Sequence, residues 1–296
     1  MAASNPAWPE PDGGRRRPAL CVRWTIGDVS PAGFEALRLS VHGAYRLFGG
    51  EADYHICVNT VPVATAAQRT GPLPPGICWH AVPPFLPEML RRVVDSSMTE
   101  GTAWKFVPLQ ICPQSRELAL DNDVILWDMP AALRAWLEST DPNARLIAGD
   151  MVPACGRFAP LCGPAPRNSG IRGTPAGFDL EHAIARVLDM MPGPLESELD
   201  EQGLQIAALS LDGPPLVVST GDVSICSPFP PHTPEFGACG AHFVGLNARS
   251  LPWEFYGRPA TQVRLEHWRQ HRPELFRRVG LPLPEDEDLP RMEAGE

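Results

Sequence analysis

Residues 19–26, ALCVRWTI, then Ser30-Pro31, the amphipathic stretch 32–47 and finally 54–58, YHICV, decide the fold of this 296-residue chain. The outer pieces are short, apolar and rich in residues that favour strands, and Ser30-Pro31 supplies an N-cap and a first-turn proline for a helix between them. A strand, a crossover helix and a second strand in that order make a right-handed β-α-β unit with parallel neighbours.

The alternation continues downstream. A Pro- and Gly-rich connection over 61–76 leads to a strand near 78–82 and a helix over 87–97. A strand ends at Asp121, and a short helix over 130–139 precedes strands over 144–149 and 168–173. Apolar spacing predicts helices over 178–190 and 196–209, an extended segment over 216–220, and a last amphipathic helix over 261–279 with arginines on its outer face. Strands and helices alternating around one sheet predict a three-layer α/β domain over 19–280. Residues 1–18 and the acidic segment 281–296 read as disordered tails.

Charge and composition exclude several classes. A formal net charge of −10 leaves little cationic surface to displace counterions from phosphates, so nucleic acid is not an expected partner. No apolar run approaches the roughly 20 residues that cross a bilayer, and the run after Arg15-Arg16-Arg17 is broken at Arg23 and Asp28. The expectation is a cytoplasmic protein without a membrane span. The eight cysteines contain no Cys-x-x-Cys pair, so spacing suggests neither a zinc ribbon nor a thioredoxin-like site, and they read as reduced, buried small hydrophobes. Lys105 is the only lysine among 25 basic residues, which compositional bias accounts for.

Asp121 and Asp123 interrupt the apolar run ELALDNDVILW (117–127), at the carboxyl end of a strand, where α/β sheets bind ligands. Asp286-Glu287-Asp288 has the same spacing, but in a Pro-rich acidic tail where nothing apolar holds it, so context singles out the first pair. Alternate residues of a regular strand point to opposite faces. Both acids therefore reach one cation only if the strand ends or bends at Asn122; otherwise they cap the next helix or simply close the strand. His242, in GAHFVG (240–245) ahead of Pro252-Trp253, is either an ordinary core or surface residue or a third ligand. With two Asp it completes a mixed N/O set suited to Mn²⁺ or Mg²⁺. Asn168-Ser169-Gly170 either offers an amide and a hydroxyl to a sugar or makes an ordinary turn. Asp200-Glu201-Gln202-Gly203 is either a solvated helix face or part of the same site.

Taken in order, these pieces are a β-α-β start, a basic Lys105 upstream of Leu120-Asp-x-Asp123, Asn168-Ser-Gly, Glu201-Gln-Gly-Leu204, His242-x-x-Gly245 and Pro252-Trp253. Their sequence resembles the GT-A-fold glycosyltransferases, and within them the retaining group that includes glycogenin and bacterial lipopolysaccharide galactosyltransferases. The resemblance spans about 19–253. It implies a three-layer GT-A fold with a mostly parallel central sheet, and Asp121, Asp123 and His242 as ligands of Mn²⁺ or Mg²⁺ and of the donor diphosphate. It further implies Lys105 as a catalytic donor contact, Asn168 with Ser169 beside the sugar, and Glu201-Gln202 facing the donor sugar, with Asp200 as the alternative carboxylate. Thr25, Asp28, Asn122 and Gly245 complete the implied donor-binding set. Two features depart from the pattern: the loop between Gly245 and Pro252 is altered, and the family's Lys before Pro-Trp is missing, with Arg249 as a substitute.

The implied function is metal-dependent transfer of a sugar from a nucleotide diphosphate donor, expected to be a UDP-sugar, to an unidentified acceptor. If the reaction inverts instead, Glu254 beside Trp253 is the candidate general base. Two other readings share the fold: a nonenzymatic sugar-nucleotide-binding protein and a sugar-nucleotide pyrophosphorylase. The second is disfavoured because TIGDVS (25–30) lacks the cationic Gly-rich loop it requires.

Overall fold

The structure, a computed structural model, describes residues 19–82, 86–94 and 103–284. The tail at 1–18, most of the tail at 281–296, and 95–97 of the helix expected over 87–97 lie outside them.

The opening unit is β1 (Leu20–Ile26), α1 (Pro31–Phe48) and β2 (Ala52–Val58), with β1 and β2 parallel from Leu20↔Ala52 to Ile26↔Val58. Ser30 caps α1 by accepting from Gly33 N at 3.0 Å. The segment read as a plain connection contains a helix, α2 (Val63–Thr70), between Pro62 and Gly71. Those two residues are boundary signals that a composition-based reading counts as loop. β3 (Ile77–Ala81) follows, and α3 (Glu88–Arg91) is one turn, shorter than expected.

Next come β4 (Arg116–Leu120), β5 (Val124–Leu126), α4 (Ala131–Glu138), β6 (Leu146–Gly149) and β7 (Arg167–Thr174). Helices α5 (Leu180–Met190) and α6 (Glu198–Ser210) are capped by the side chains of Asp179 and Ser197. The chain ends through β8 (Leu216–Val218), β9 (Val223–Ile225), β10 (Gly240–His242), β11 (Glu254–Phe255), β12 (Arg258–Pro259) and α7 (Ala260–Val279).

Among the described residues the main sheet has seven strands in the order β3-β2-β1-β4-β7-β6-β8, all parallel except the reversed β7. Alternation along the strands fills two layers. Leu146 and Ala148 join Trp24, Ile56, Phe34, Leu37 and Trp136 on the α1, α2 and α4 side, whereas Ile147 joins Phe106, Phe158, Ile184, Val187 and Leu204 on the α5 and α6 side. A small second sheet, β5-β10-β9, is packed with α1 and α7 through Ile125, Ala241, Ala36, Leu39, Trp268 and Phe276.

The arginines of α7 are not all on an outer face. Arg264 and Arg272 are buried: Arg272 donates to Glu35 of α1 at 2.8 Å, and Arg264 donates to the carbonyls of Gly245 and Ala248. An apolar-spacing argument cannot distinguish a solvated arginine from one that satisfies buried acceptors. Among the described residues no helix is long and apolar enough to cross a membrane.

Candidate metal and donor site

β4 stops at Leu120, and both acids fall just past its end. Asp121 N makes a ladder-like bond to Gly170 O at 2.8 Å, and Val124 N then donates to Asp121 O at 3.0 Å, closing a tight turn over 121–124. β5 leaves this turn and pairs antiparallel with β10, setting His242 opposite Val124, and Phe243 N donates to Asp123 O at 2.9 Å. The turn brings the acids to one side, and the short sheet delivers the imidazole to them.

One ligand atom from each of Asp121, Asp123 and His242 lies within 4.8 Å of the others. His242 Nε2 is 3.4 Å from Asp123 Oδ1 and 4.0 Å from Asp121 Oδ2. Asp123 Oδ1 is buried without a hydrogen-bond partner, a costly state for a carboxylate oxygen and one that a cation would relieve. Two hard oxygens and an imidazole nitrogen suit a divalent cation of the Mn²⁺ or Mg²⁺ type. Burial works against protonation of His242, but Asp123 and Asp121 outweigh it and raise its pKa. Burial likewise favours the neutral form of Asp121, yet Lys105, Arg172 and His242 hold its pKa below the ordinary value.

Lys105, in a single 3-10 turn (Ala103–Phe106), places Nζ 2.7 Å from Asp121 Oδ2. Burial alone would depress its pKa, but Asp121 and Glu201 raise it, so the ammonium is retained. Glu201, in the first turn of α6, is 1% exposed and accepts from Gln205 Nε2. Desolvation pushes its pKa up to about 7 against the pull of Lys105 and Arg172. Gln202 donates to Ala154 O at 2.7 Å and accepts from Ser169 N at 3.3 Å, joining α6 to the start of β7.

Other expected site residues have structural engagements. Asp200 accepts from Arg157 N and Glu196 N, both at 2.8 Å, tying the 3-10 turn (Gly156–Leu161) to α6. Asn168 donates to Gly149 O at 2.7 Å and accepts from Gly170 N at 2.9 Å, where the β6–β7 register shifts. Asn122 exchanges hydrogen bonds with Asn247 and donates to Gly33 O at 3.0 Å. Thr25 Oγ1 accepts from Arg23 at 3.3 Å, and Asp28 pairs with Arg69 at 2.8 Å and with Arg249. Gly245 has φ of +77°, and its carbonyl receives Arg264. Ser169 Oγ is buried and without a partner. Glu254 is exposed on β11.

Two contributors had no motif to announce them, and a third, Gly170, stood in the Asn168-Ser169-Gly170 stretch with no sign of its role. Asn247 Nδ2 reaches Asp123 Oδ2 at 3.3 Å and so orients that carboxylate. Gly170 must lack a side chain, because a Cβ there would lie 2.5 Å from His242 Cε1. Arg172, buried on β7, adds positive charge beside Asp121 and Glu201. Strand alternation places Arg172 on a definite face, but nothing in the sequence pairs it with those acids. A separate small pocket lined by Arg23, Glu117, Arg172, Leu180 and Gln205 among others does not include the Asp-Asp-His group.

Compared with solved structures, the chain is similar to the galactosyltransferase LgtC in complex with donor and acceptor sugar analogs. That match has 14% identity and a TM-score of 0.49, covering 90% of this chain and 98% of the other. It is also similar to an active-site mutant of LgtC, at 15% identity and a TM-score of 0.47 over 88% and 99% of the two chains. No family model matches, and no curated protein matches.

Proposed function

We propose that the chain is a metal-dependent glycosyltransferase that moves a sugar from a UDP-sugar to an acceptor hydroxyl. The observation that carries this reading is the meeting of Asp121, Asp123 and His242 at the carboxyl end of β4, with Lys105 Nζ 2.7 Å from Asp121. Mn²⁺ or Mg²⁺ held by those three groups would neutralise the charge of a departing nucleoside diphosphate. Lys105 adds a fixed cation at the same edge and positions the donor phosphates, at little reorganisation cost because Asp121 already holds it.

The buried carboxyl of Glu201 accepts from Gln205 and feels the charges of Lys105 and Arg172. Ionised, it stabilises positive charge developing at the anomeric carbon. Gln202, anchored between Ala154 and Ser169, is the amide this reading assigns to the donor sugar. Thr25 and Asp28 lie at the end of β1 and just beyond it, on the side assigned to the nucleobase. Retention of stereochemistry is the outcome implied by the family resemblance, and Glu254 is the base that an inverting reaction would use.

A second reading has its own support. Asp200, Asn168 and Asn122 are engaged within the protein, and Glu201 is 1% exposed, as befits a protein of this fold that binds sugar nucleotides without turning them over. Incubation with UDP-sugars and Mn²⁺, with UDP release as the readout, separates the two. Release supports the transferase; metal-dependent binding of every donor without release supports the binding protein.

A further inference from the structure

The strands β1, β2 and β3 turn a second face away from α1 and α2, and sulfur and imidazole groups occupy it. Register sets Arg23 beside His55, Thr25 beside Cys57, His55 beside Cys78 and Cys57 beside His80, while Val22, Trp24, Tyr54, Ile56 and Val58 fill the core on the opposite side. Strand alternation therefore collects Cys21, His55, Cys57, Cys78 and His80 on one face. The loop before β4 lays Cys112 against it.

Within this face, ligand atoms of Cys21, His55 and Cys112 lie within 4.8 Å of one another, and His55 Nε2 is 3.8 Å from Cys112 Sγ. A tetrahedral ion with bonds of about 2.3 Å to sulfur and about 2.0 Å to nitrogen separates those donors by roughly 3.5 Å, so little movement is required. His55 Nδ1 is 2.8 Å from His80 Nε2. With its proton on Nδ1, His55 donates to His80 and turns the Nε2 lone pair toward Cys112, the arrangement in which an outer partner fixes a metal-binding imidazole.

Cys112 is also held in place. Its N–H and that of Ile111 donate to Glu117 Oε2 at 2.8 Å each. Arg23, bonded to Glu117 at 2.5 Å, secures the same loop through Leu109 O at 2.9 Å. Cys21 is fully buried, whereas His55 and Cys112 are half-buried, which leaves that side for a fourth, exogenous ligand.

We propose that Cys21, His55 and Cys112 form a second cation site, suited to a thiophilic divalent ion such as Zn²⁺ and distinct from the oxygen-rich site at Asp121. Two thiolates and an imidazole favour Zn²⁺ over Mn²⁺ or Mg²⁺. Binding releases the two thiol protons to solvent, and the two thiolates cancel the charge of the dication. The grouping of Cys226 with His267 and His271 does not match it: it has one thiol, and His267 Nε2 is already 3.1 Å from Pro234 O.

The test is titration of the reduced, metal-free full chain with Co²⁺, followed by absorption. An equimolar addition is expected to give the intense visible bands of a tetrahedral ion and a thiolate-to-cobalt charge-transfer band, both abolished by equimolar Zn²⁺. Cys112→Ser and His55→Gln should each lose the charge-transfer band while keeping the far-ultraviolet circular dichroism of the parent. Asp123→Ala, which disables the other site, should retain it. If Cys112→Ser does not fold, His55→Gln supplies the same comparison. No thiolate band in the reduced parent, a band that survives in folded Cys112→Ser, or one lost in folded Asp123→Ala would overturn the proposal.

Discussion

His242 Nε2 stands 3.4 Å from Asp123 Oδ1 because β5 and β10, three residues each, pair antiparallel with His242 opposite Val124. The ladder is short, but Phe243 N extends it onto Asp123 O. A histidine late in the chain is thereby locked beside an acid near its middle, with Gly170 leaving the space its ring occupies.

Removing that acid should disable the site without unfolding the protein. Asp123→Ala is expected to weaken Mn²⁺-dependent UDP binding by more than the roughly 100-fold typical of losing an outer partner, with melting temperature little changed, since the side chain gives up only the 3.3 Å contact from Asn247 and an otherwise unsatisfied Oδ1. Asp286→Ala should leave binding untouched. Isothermal titration calorimetry of both variants checks this; equal effects would dissociate the Asp121-x-Asp123 spacing from function.

Asn247 is the outer partner. Its amide bridges Asn122 and Asp123, so Asn247→Ala should reduce Mn²⁺ affinity by about 10- to 100-fold, with Asp121, Asp123 and His242 all still present. Competition against a chelating dye gives the affinity.

Glu201 sets a stability slope. Its pKa rises from 4.5 to about 7 on folding, so below pH 4.5 both states are protonated and it contributes nothing. Between pH 4.5 and 7 the unfolded chain releases the proton that the folded protein retains, so stability falls as pH rises; above 7 the penalty is constant, about 3 kcal/mol. Other groups titrate in the same window, so the check is the difference: by urea denaturation the parent should lose stability relative to Glu201→Gln as pH rises from 4.5 to 7, and by no more above it.

The dock of α7 on α1 contains a buried charged contact outside the site. Glu35 accepts from Trp268 Nε1 at 2.9 Å and from Arg272 at 2.8 Å, with the Arg272 side chain 5% exposed. Glu35→Ala takes the carboxylate from a buried guanidinium and should cost about 3–5 kcal/mol by denaturant titration, far more than a surface pair.

The sequence was most legible where period and caps agree. Ser30-Pro31 announced α1, and the apolar runs announced β1, β2 and the end of β4, so the layered α/β fold could be read directly, while the mostly parallel sheet came with the family resemblance. α2 was hidden because Pro62 and Gly71, which bound a helix, are also the residues that fill loops. Asp121, Asp123 and His242 were visible as types in context. Their support was not: Asn247 and Arg172 act through contacts across different elements, and Gly170, though inside the Asn168-Ser169-Gly170 stretch, gave no sign that it makes room for His242, which no local spacing encodes. The same limit explains Cys21, His55 and Cys112. A spacing rule finds ligands on one hairpin or turn, whereas these three meet only through the register of neighbouring parallel strands and a loop tied to Glu117.

The most direct measurement is a crystal structure with Mn²⁺ and UDP, recorded with anomalous scattering from manganese. The expected result is a single peak bonded to the carboxylates of Asp121 and Asp123 and to His242 Nε2, with the diphosphate on its open side. UDP bound with the manganese elsewhere, or with His242 turned away from the ion, would contradict it.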